Sequence, residues 1–153
     1  LVPAGALVDL SRQQIHDLRT LLQSLTDAQS QYRYAADKWS VREVVGHLID
    51  TERVFAYRAT AFSRCDPSPL PSFDQDAWTP LGEYDARSLA SLLDEWEATR
   101  RASLALMEGM PSVALARHGV ASDNHITVLA CLCILHGHVQ YHIATLGRDY
   151  LTR

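Results

Sequence analysis

Hydrophobic residues recur every three or four positions over four long stretches of the chain, which is the spacing of helices that bury one face. The first stretch predicts a helix from about Asp9 or Ser11, either of which can cap it, to about Ala28. Its buried positions are predicted to be Ile15, Leu18, Leu22 and Leu25. His16 lies among polar residues of this helix and is predicted to face solvent.

The second helix has the clearest start signal. Ser40 and Glu43 have the S-x-x-E spacing of a capping box, in which the two side chains satisfy free amides at a helix start. Trp39 precedes this cap and is predicted to fold back on Val44, and the helix is predicted to run to about Ser63. Its inward positions are predicted to be Val41, Val44, Val45, Leu48, Phe55, Ala59 and Phe62.

Two further helices complete the pattern. The third is predicted to begin near Asp85 or Ser88 and to end at about Glu108, before Gly109. Its charged residues are predicted to form mainly a solvated face: Asp94, Glu95, Glu97, Arg100 and Arg101. Residues 112–124 are interpreted as a connection. The fourth helix is predicted to begin after a cap at Asp123 or Ser122 and to be closed by Gly147.

Residues 65–87 separate the second and third helices and contain four prolines, which exclude a continuous helix. Phe73, Trp78 and Tyr84 give this segment side chains to pack with, so we expect an ordered crossover with one helical turn. A mobile lid over a site is the alternative. The pattern as a whole predicts an all-α four-helix bundle with a long proline-rich crossover between helices 2 and 3, forming one domain over residues 1–153.

Composition narrows the class of protein. With 47% hydrophobic and 21% charged residues the chain has the composition of a soluble globular domain, and its formal net charge of −4 disfavours nucleic-acid binding. No continuous apolar run reaches the roughly 20 residues of a membrane span, and the apolar start lacks the basic residues of a signal peptide. Three cysteines, Cys65, Cys131 and Cys133, fit no disulfide pattern, so we expect a cytoplasmic protein without membrane or nucleic-acid partners.

Candidate chemistry is concentrated in the fourth helix. His138 and His142 lie four residues apart on a face that is otherwise apolar. A buried imidazole needs a partner, which is either a hydrogen bond or a metal ion. His47 of the second helix can supply a third ligand if the two helices face each other. Three imidazoles with open positions are typical of a catalytic zinc site, and the same set also accepts nickel, iron or manganese.

Other residues near these histidines are weaker candidates. Val139 follows His138 where the helical zinc-protease motif has glutamate, so that reaction is excluded. His136 lies about 200° from His138 around the helix and is assigned to another face.

Asp50, one turn beyond His47, is the best-placed carboxylate for moving protons as a catalytic residue. The alternative for Asp50, and for Glu52 behind it, is a supporting or surface role. His118 and His125 are predicted to have surface roles.

The run Trp39-Ser40-Val41-Arg42-Glu43-Val44-Val45-Gly46-His47-Leu48-Ile49-Asp50-Thr51-Glu52, together with the His138–His142 run, resembles two helix signatures of the DinB-like/YfiT-like superfamily of metal-dependent enzymes. The resemblance implies a four-helix bundle whose metal ligands are His47, His138 and His142. It further implies a divalent metal ion, zinc above nickel, manganese or iron, and a homodimer. Relatives are similar to transferases and isomerases that use low-molecular-weight thiols such as bacillithiol or mycothiol, or are described as hydrolases.

The prediction for function is therefore a metal-dependent hydrolase or thiol-dependent S-transferase that activates water or a thiol and acts on a small molecule. The alternative is a non-catalytic stress-response or interaction bundle whose histidines are hydrogen-bonded core residues. If the protein is an enzyme, we expect a cavity at the histidines with polar groups converging on it. If it is a non-catalytic bundle, we expect no such cavity.

Overall fold

The computed structural model describes residues 4–151. The first three residues of the apolar start and the last two of the chain lie outside this range. In chain order the elements are α1 (Ala4–Leu22), α2 (Asp27–Ser30), α3 (Val41–Ser63), α4 (Gln75–Leu81), α5 (Leu89–Glu108), β1 (His118–Ala121), β2 (Asn124–Thr127) and α6 (Val128–Thr145). The long helices α1, α3, α5 and α6 form the predicted four-helix bundle.

The order of the helices around the bundle differs from that of a simple up-and-down bundle. The main contacts of α3 are with α5 and α6, and those of α1 are also with α5 and α6. The consecutive long helices α1 and α3 therefore occupy opposite corners, whereas short loops would make them neighbours. As a result α3 and α6, which are far apart in the sequence, share the most extensive helix interface.

The first helix was predicted with the wrong limits. It includes Ala4 and ends at Leu22 instead of continuing to Ala28. Thr26 and Gln29 form a capping box that begins α2, which satisfies the free amides there and ends any continuation of α1. Ser11 is not a cap but a fully buried residue whose hydroxyl lies 3.3 Å from Nδ1 of His136.

The second predicted helix matches α3 at both ends. Ser40 accepts a hydrogen bond from the Glu43 amide at 3.0 Å, and the Glu43 carboxylate accepts one from the Ser40 amide at 2.9 Å. The predicted inward positions are buried except Phe55, which is partly buried. This local chemistry fixes the rotation of α3 and with it the direction of the His47 side chain.

The connection before α6 contains a β-hairpin that was not predicted. Strands β1 and β2 pair antiparallel, with Ala121 opposite Asn124. Ser122 and Asp123, the two predicted caps, instead form the hairpin turn with positive φ angles of 51° and 61°. The cap of α6 is Thr127, whose side chain accepts a hydrogen bond from the Ala130 amide. Gly147 does not end the helix, because a π-helical turn continues from Leu146 to Tyr150.

The crossover between α3 and α5 is packed against the bundle, as expected of an ordered segment. It contains the seven-residue helix α4, which is longer than the single turn predicted. Leu70 exchanges backbone hydrogen bonds with the hairpin residues Val120 and Ser122. Tyr84 is buried, and its hydroxyl donates a 2.5 Å hydrogen bond to Asp50 on α3.

Gly46 allows Tyr84 to lie directly on α3, since a Cβ atom at residue 46 would be 2.2 Å from the Tyr84 ring. We expect Gly46→Ala to lower the free energy of unfolding by about 1–3 kcal/mol, because the ring must move. Gly137→Ala is the control, because nothing lies within 4 Å of its Cβ in α6 and alanine favours a helix by about 1 kcal/mol. Urea unfolding measures the stability of both variants. If Gly46→Ala were as stable as Gly137→Ala, the close contact with Tyr84 would not be the reason for a glycine at this position.

One part of the predicted solvated face of α5 is wrong. Arg100 is 0% exposed and lies in the core. Its Nη2 atom lies 3.0 Å from the carboxylate of Glu52 and donates a 3.1 Å hydrogen bond to the carbonyl of Leu135. This guanidinium therefore joins α3, α5 and α6 at a point near the middle of the bundle.

Among the described residues, one helical segment, Val128–Tyr150, is long and apolar enough on average to cross a membrane. No such segment was expected from the sequence, because no continuous apolar run reaches the roughly 20 residues of a membrane span. A core helix of a bundle meets the same criteria, and α6 packs against α1 and α3. The average hydropathy of this segment is therefore weak support for a membrane span.

Candidate metal centre

The interface between α3 and α6 brings the three predicted histidines together. His47 lies on the second turn of α3 and is only 2% exposed. His138 and His142 lie one turn apart on α6 and are partly buried. The ring centroid of His47 is 4.8 Å from that of His138 and 5.2 Å from that of His142. Two helices thus present three imidazoles to one point, although His47 and His138 lie 91 residues apart in the chain.

Each of the three rings directs its Nε2 atom towards this common position. Nε2 of His138 lies 2.9 Å from Nε2 of His47 and 3.1 Å from Nε2 of His142. The potential ligand atoms all lie within 4.8 Å of one another. Three nitrogens bound to one tetrahedral zinc ion at about 2.0–2.1 Å are roughly 3.3–3.4 Å apart. The arrangement fits a divalent ion after small shifts of the side chains.

Hydrogen bonds between the rings cannot satisfy all three nitrogens. In a neutral imidazole each ring nitrogen carries either one N–H or one lone pair, so Nε2 of His138 can make one good hydrogen bond with only one of its two neighbours. One of the two short contacts is then left unfavourable. A single cation accepts three lone pairs at once, which is the chemistry that this donor set suits.

Burial keeps these histidines neutral. Desolvation and the neighbouring His142 lower the pKa of His47 to about 4. Desolvation, His142, His47 and Arg100 lower the pKa of His138 to about 3, and desolvation lowers the pKa of His142 to about 4. Near neutral pH all three imidazoles therefore have lone pairs available without first losing a proton.

These lowered pKa values predict how metal-free protein responds to acid. The unfolded histidines, with a pKa near 6.5, take up protons before the folded ones, so unfolding becomes easier as the pH falls from about 6.5 towards 4. The expected slope is up to about 1.4 kcal/mol per pH unit for each extra proton that the unfolded chain binds. Urea unfolding of chelator-treated protein between pH 7.5 and 4 measures this slope.

A His138→Gln/His142→Gln variant provides the comparison, since it removes two of the shifted groups and leaves the carboxylates unchanged. Its stability should depend less on pH between 6.5 and 4 than that of the unsubstituted protein. Equal slopes in the two proteins would show that other groups cause the acid sensitivity.

Aromatic rings lie against two of the three histidines. The Trp39 ring lies 4.7 Å from the His47 ring, and the Tyr141 ring lies 5.1 Å from the His142 ring. Tyr150 donates a 2.8 Å hydrogen bond to the Trp39 carbonyl and so fixes the segment that carries this ring. Trp39 thus lies against a candidate metal ligand. It also packs on the bundle core, which contains Val44, the residue on which it was predicted to fold.

A cavity of about 220 Å³ opens beside His142. Its walls come from the segment before α3, from α3 and α4, and from α6 and the turn after it: Tyr34, Asp37, Lys38, Trp39, Val44, Asp76, Tyr141, His142, Thr145 and Tyr150. The sequence analysis named none of the polar wall residues Asp37, Lys38, Asp76 and Thr145 as candidates. An enzyme was predicted to have a cavity at the histidines, and this cavity reaches one of them, because its wall includes His142 but neither His47 nor His138.

The predicted carboxylates have separate roles in the structure. Asp50 accepts the hydrogen bond from Tyr84 on the face of α3 that contacts the crossover. Burial and this hydrogen bond to Asp50 raise the pKa of Tyr84, so its hydroxyl keeps its proton. Glu52 lies in the core beside Arg100. Asp50 as a catalytic residue stays a prediction, and the carboxylates in the wall of the cavity are Asp37 and Asp76.

The remaining histidines lie elsewhere. His136 contacts Ser11 of α1, on a different face of α6 from His138. His118 and His125 are exposed on the hairpin, with ring centroids 6.0 Å apart, and His16 is exposed on α1. Cys131 is buried and Cys133 is exposed.

Comparisons with known proteins agree with this fold. No protein of curated function matches the sequence significantly. Among solved structures, the chain is similar to YfiT from Bacillus subtilis, described as a probable metal-dependent hydrolase with an unusual four-helix bundle topology. The TM-score is 0.83 at 20% sequence identity, over 94% of this chain and 83% of that chain. At this identity the likeness shows the fold.

The sequence profile of the DinB superfamily matches residues 10–146, which include most of α1, all of α3, α5 and α6, and the three histidines. The match confirms the resemblance found in the helix signatures. The chain belongs to the DinB superfamily.

Proposed function

We propose that the protein is a metal-dependent enzyme that holds one divalent ion through His47, His138 and His142 and acts on a small molecule. The observation that carries this proposal is the convergence of three Nε2 atoms from two helices on one point beside a cavity. A protein with the same fold is described as a probable metal-dependent hydrolase, which supports the same class of reaction. Zinc is the ion that three imidazoles suit best, with nickel, manganese and iron as competitors.

A divalent ion at such a site supplies Lewis acidity that activates water for hydrolysis or a thiol for transfer. The residues of this chain do the rest. The imidazoles stay neutral because they are buried, and Trp39 shields His47. Asp76 in the cavity wall and Asp50 beside Tyr84 are the carboxylates available to move a proton. We also propose that a low-molecular-weight thiol can serve as co-substrate, that the protein is cytoplasmic and that it forms a homodimer.

Parallel assays distinguish the two reactions. Chelator-stripped protein is compared with zinc-loaded protein for hydrolysis of nitrophenyl esters and for conjugation of a low-molecular-weight thiol with a chromogenic electrophile. We expect one reaction to depend on the added metal and to be lost on chelation. If zinc is bound but neither reaction responds to it, the non-catalytic bundle becomes the better interpretation.

A further inference from the structure

Four of the ten residues that line the cavity beside His142 are aromatic: Tyr34, Trp39, Tyr141 and Tyr150. Trp39 and Tyr141 each lie against a candidate metal ligand, and Tyr34 packs edge-on against Tyr150 with ring centroids 4.9 Å apart. Aromatic rings prefer other rings in offset-stacked or edge-to-face geometry, which a flat ligand can adopt on several walls at once. The cavity volume of about 220 Å³ suits a small group such as a single ring.

The charges around the cavity argue against a cationic occupant, which aromatic walls also attract. Lys38 lies in the wall and pairs with Asp37 at 2.9 Å, so these two charges offset each other. Asp76 is the remaining carboxylate, and a divalent ion on the histidines would more than offset it. A cationic ligand would be repelled by the net positive charge that remains. An uncharged ring meets no such repulsion.

A polar group of the ligand is also expected, because the Thr145 hydroxyl is buried and makes no hydrogen bond with the described protein atoms. Thr145 follows His142 by three residues on α6, so both side chains lie on one face of the helix. Thr145 also lines the cavity, so a change of its side-chain rotamer would let this hydroxyl meet the head group of a ligand whose other atoms contact the ion.

We propose that this cavity is the substrate subsite of the metal centre and that it binds a flat aromatic or similarly unsaturated ring carried on the group held at the histidines. The inference rests on the proposed metal site. In this arrangement Tyr141 and Trp39 select the ring, while Thr145 hydrogen-bonds the head group.

Three hydroxamic acids test the proposal, because they share one metal-binding head and differ only in the body. Benzohydroxamate, cyclohexanecarbohydroxamate and acetohydroxamate are titrated into the zinc-loaded protein by calorimetry. We expect benzohydroxamate to bind roughly tenfold more tightly than either of the others. Equal affinity of the benzo and cyclohexane compounds would overturn the proposal, since the cavity would then select apolar volume and not a flat ring.

Variants separate the two contributions. Tyr141→Ala should reduce the preference for benzohydroxamate over acetohydroxamate to near unity, whereas Tyr57→Ala, which removes a similarly exposed tyrosine outside the cavity, should leave it unchanged (63% and 60% exposed). Thr145→Val should weaken all three compounds by a similar factor of about two to ten and keep the preference. A preference that survives Tyr141→Ala would overturn the assignment of the ring site.

Zinc uptake, measured in the same samples before the hydroxamates are added, separates this inference from the function beneath it. Absence of zinc binding would refute the metal centre itself. Zinc binding without a preference among the three compounds would refute only the aromatic subsite.

Discussion

A His138→Ala/His142→Ala variant is expected to bind no stoichiometric zinc, whereas the unsubstituted chain should bind about one equivalent. Structural zinc sites with four ligands contribute about 10–16 kcal/mol, or roughly 3–4 kcal/mol for each ligand. Loss of two of three ligands should therefore weaken binding by a factor of about 10⁴ or more. Metal content after reconstitution and dialysis, measured by mass spectrometry on untagged protein, gives the result directly.

The matched control is His118→Ala/His125→Ala. This variant also removes two neighbouring imidazoles, but from the exposed hairpin, where the ring centroids are 6.0 Å apart. It should keep its zinc. Circular dichroism of both metal-free variants tests whether they fold, and an increase in melting temperature on addition of zinc should appear only where the three-histidine site is intact. If the α6 variant kept its zinc, the ion would have to be bound by other residues.

The histidine cluster was predictable because each part of it depends on local rules. A capping box at Ser40 and Glu43 sets where α3 begins, and helical spacing then places His47 inside and His138 beside His142. The sequence did not reveal that α1 and α3 occupy opposite corners of the bundle. That order depends on long-range packing of four similar apolar faces.

The hairpin was missed for a specific reason. Its turn is Ser122-Asp123, and both residues adopt positive φ, which in hairpins is usually the role of glycine or asparagine. Without that signal the two four-residue strands look like a polar connection. The capping box of Thr26 and Gln29, in contrast, was present in the sequence and would have ended the predicted first helix before Thr26, closer to the observed end at Leu22.

Arg100 was assigned to the surface because of its charge, although its position indicated otherwise. Leu93, Trp96, Leu104 and Met107 are buried on the same helix, and helical spacing places residue 100 on the face that they share. The aromatic cavity could not have been predicted in the same way. Its walls come from segments that begin at Tyr34, include Asp76 and end at Tyr150, and only the fold brings them together.

The buried ion pair gives the second large prediction. Arg100→Met should lower the free energy of unfolding by about 3–5 kcal/mol, because Glu52, which is 1% exposed, would be left in the core without its cation. Urea unfolding of metal-free protein at pH 7 measures the loss. The control is Arg101→Met, on the same helix, whose exposed pair with Glu97 should contribute no more than about 1 kcal/mol.

Replacing both partners should remove most of this loss. Several polar atoms of the cluster make no hydrogen bond with described protein atoms, including Nε and Nη1 of Arg100 and Oε1 of Glu52. A Glu52→Leu/Arg100→Met variant removes these atoms together, and such replacements of buried pairs are often neutral or stabilising. If the double variant were as unstable as Arg100→Met alone, packing by the long arginine side chain would explain the loss better than the stranded charge does.

The pH dependence of stability is a second test of whether the stranded charge or the lost packing destabilises Arg100→Met. Burial already raises the pKa of Glu52, and the charge of Arg100 opposes that rise. Without Arg100 the pKa of Glu52 in the folded protein should rise further. When the folded pKa lies above the unfolded pKa, stability is lost as the pH increases from the unfolded pKa to the folded one. The deficit of Arg100→Met relative to the unsubstituted protein should therefore be smaller at pH 5 than at pH 7. A deficit caused by lost packing would be the same at both, because a methionine fills the same volume whatever the protonation of its neighbour.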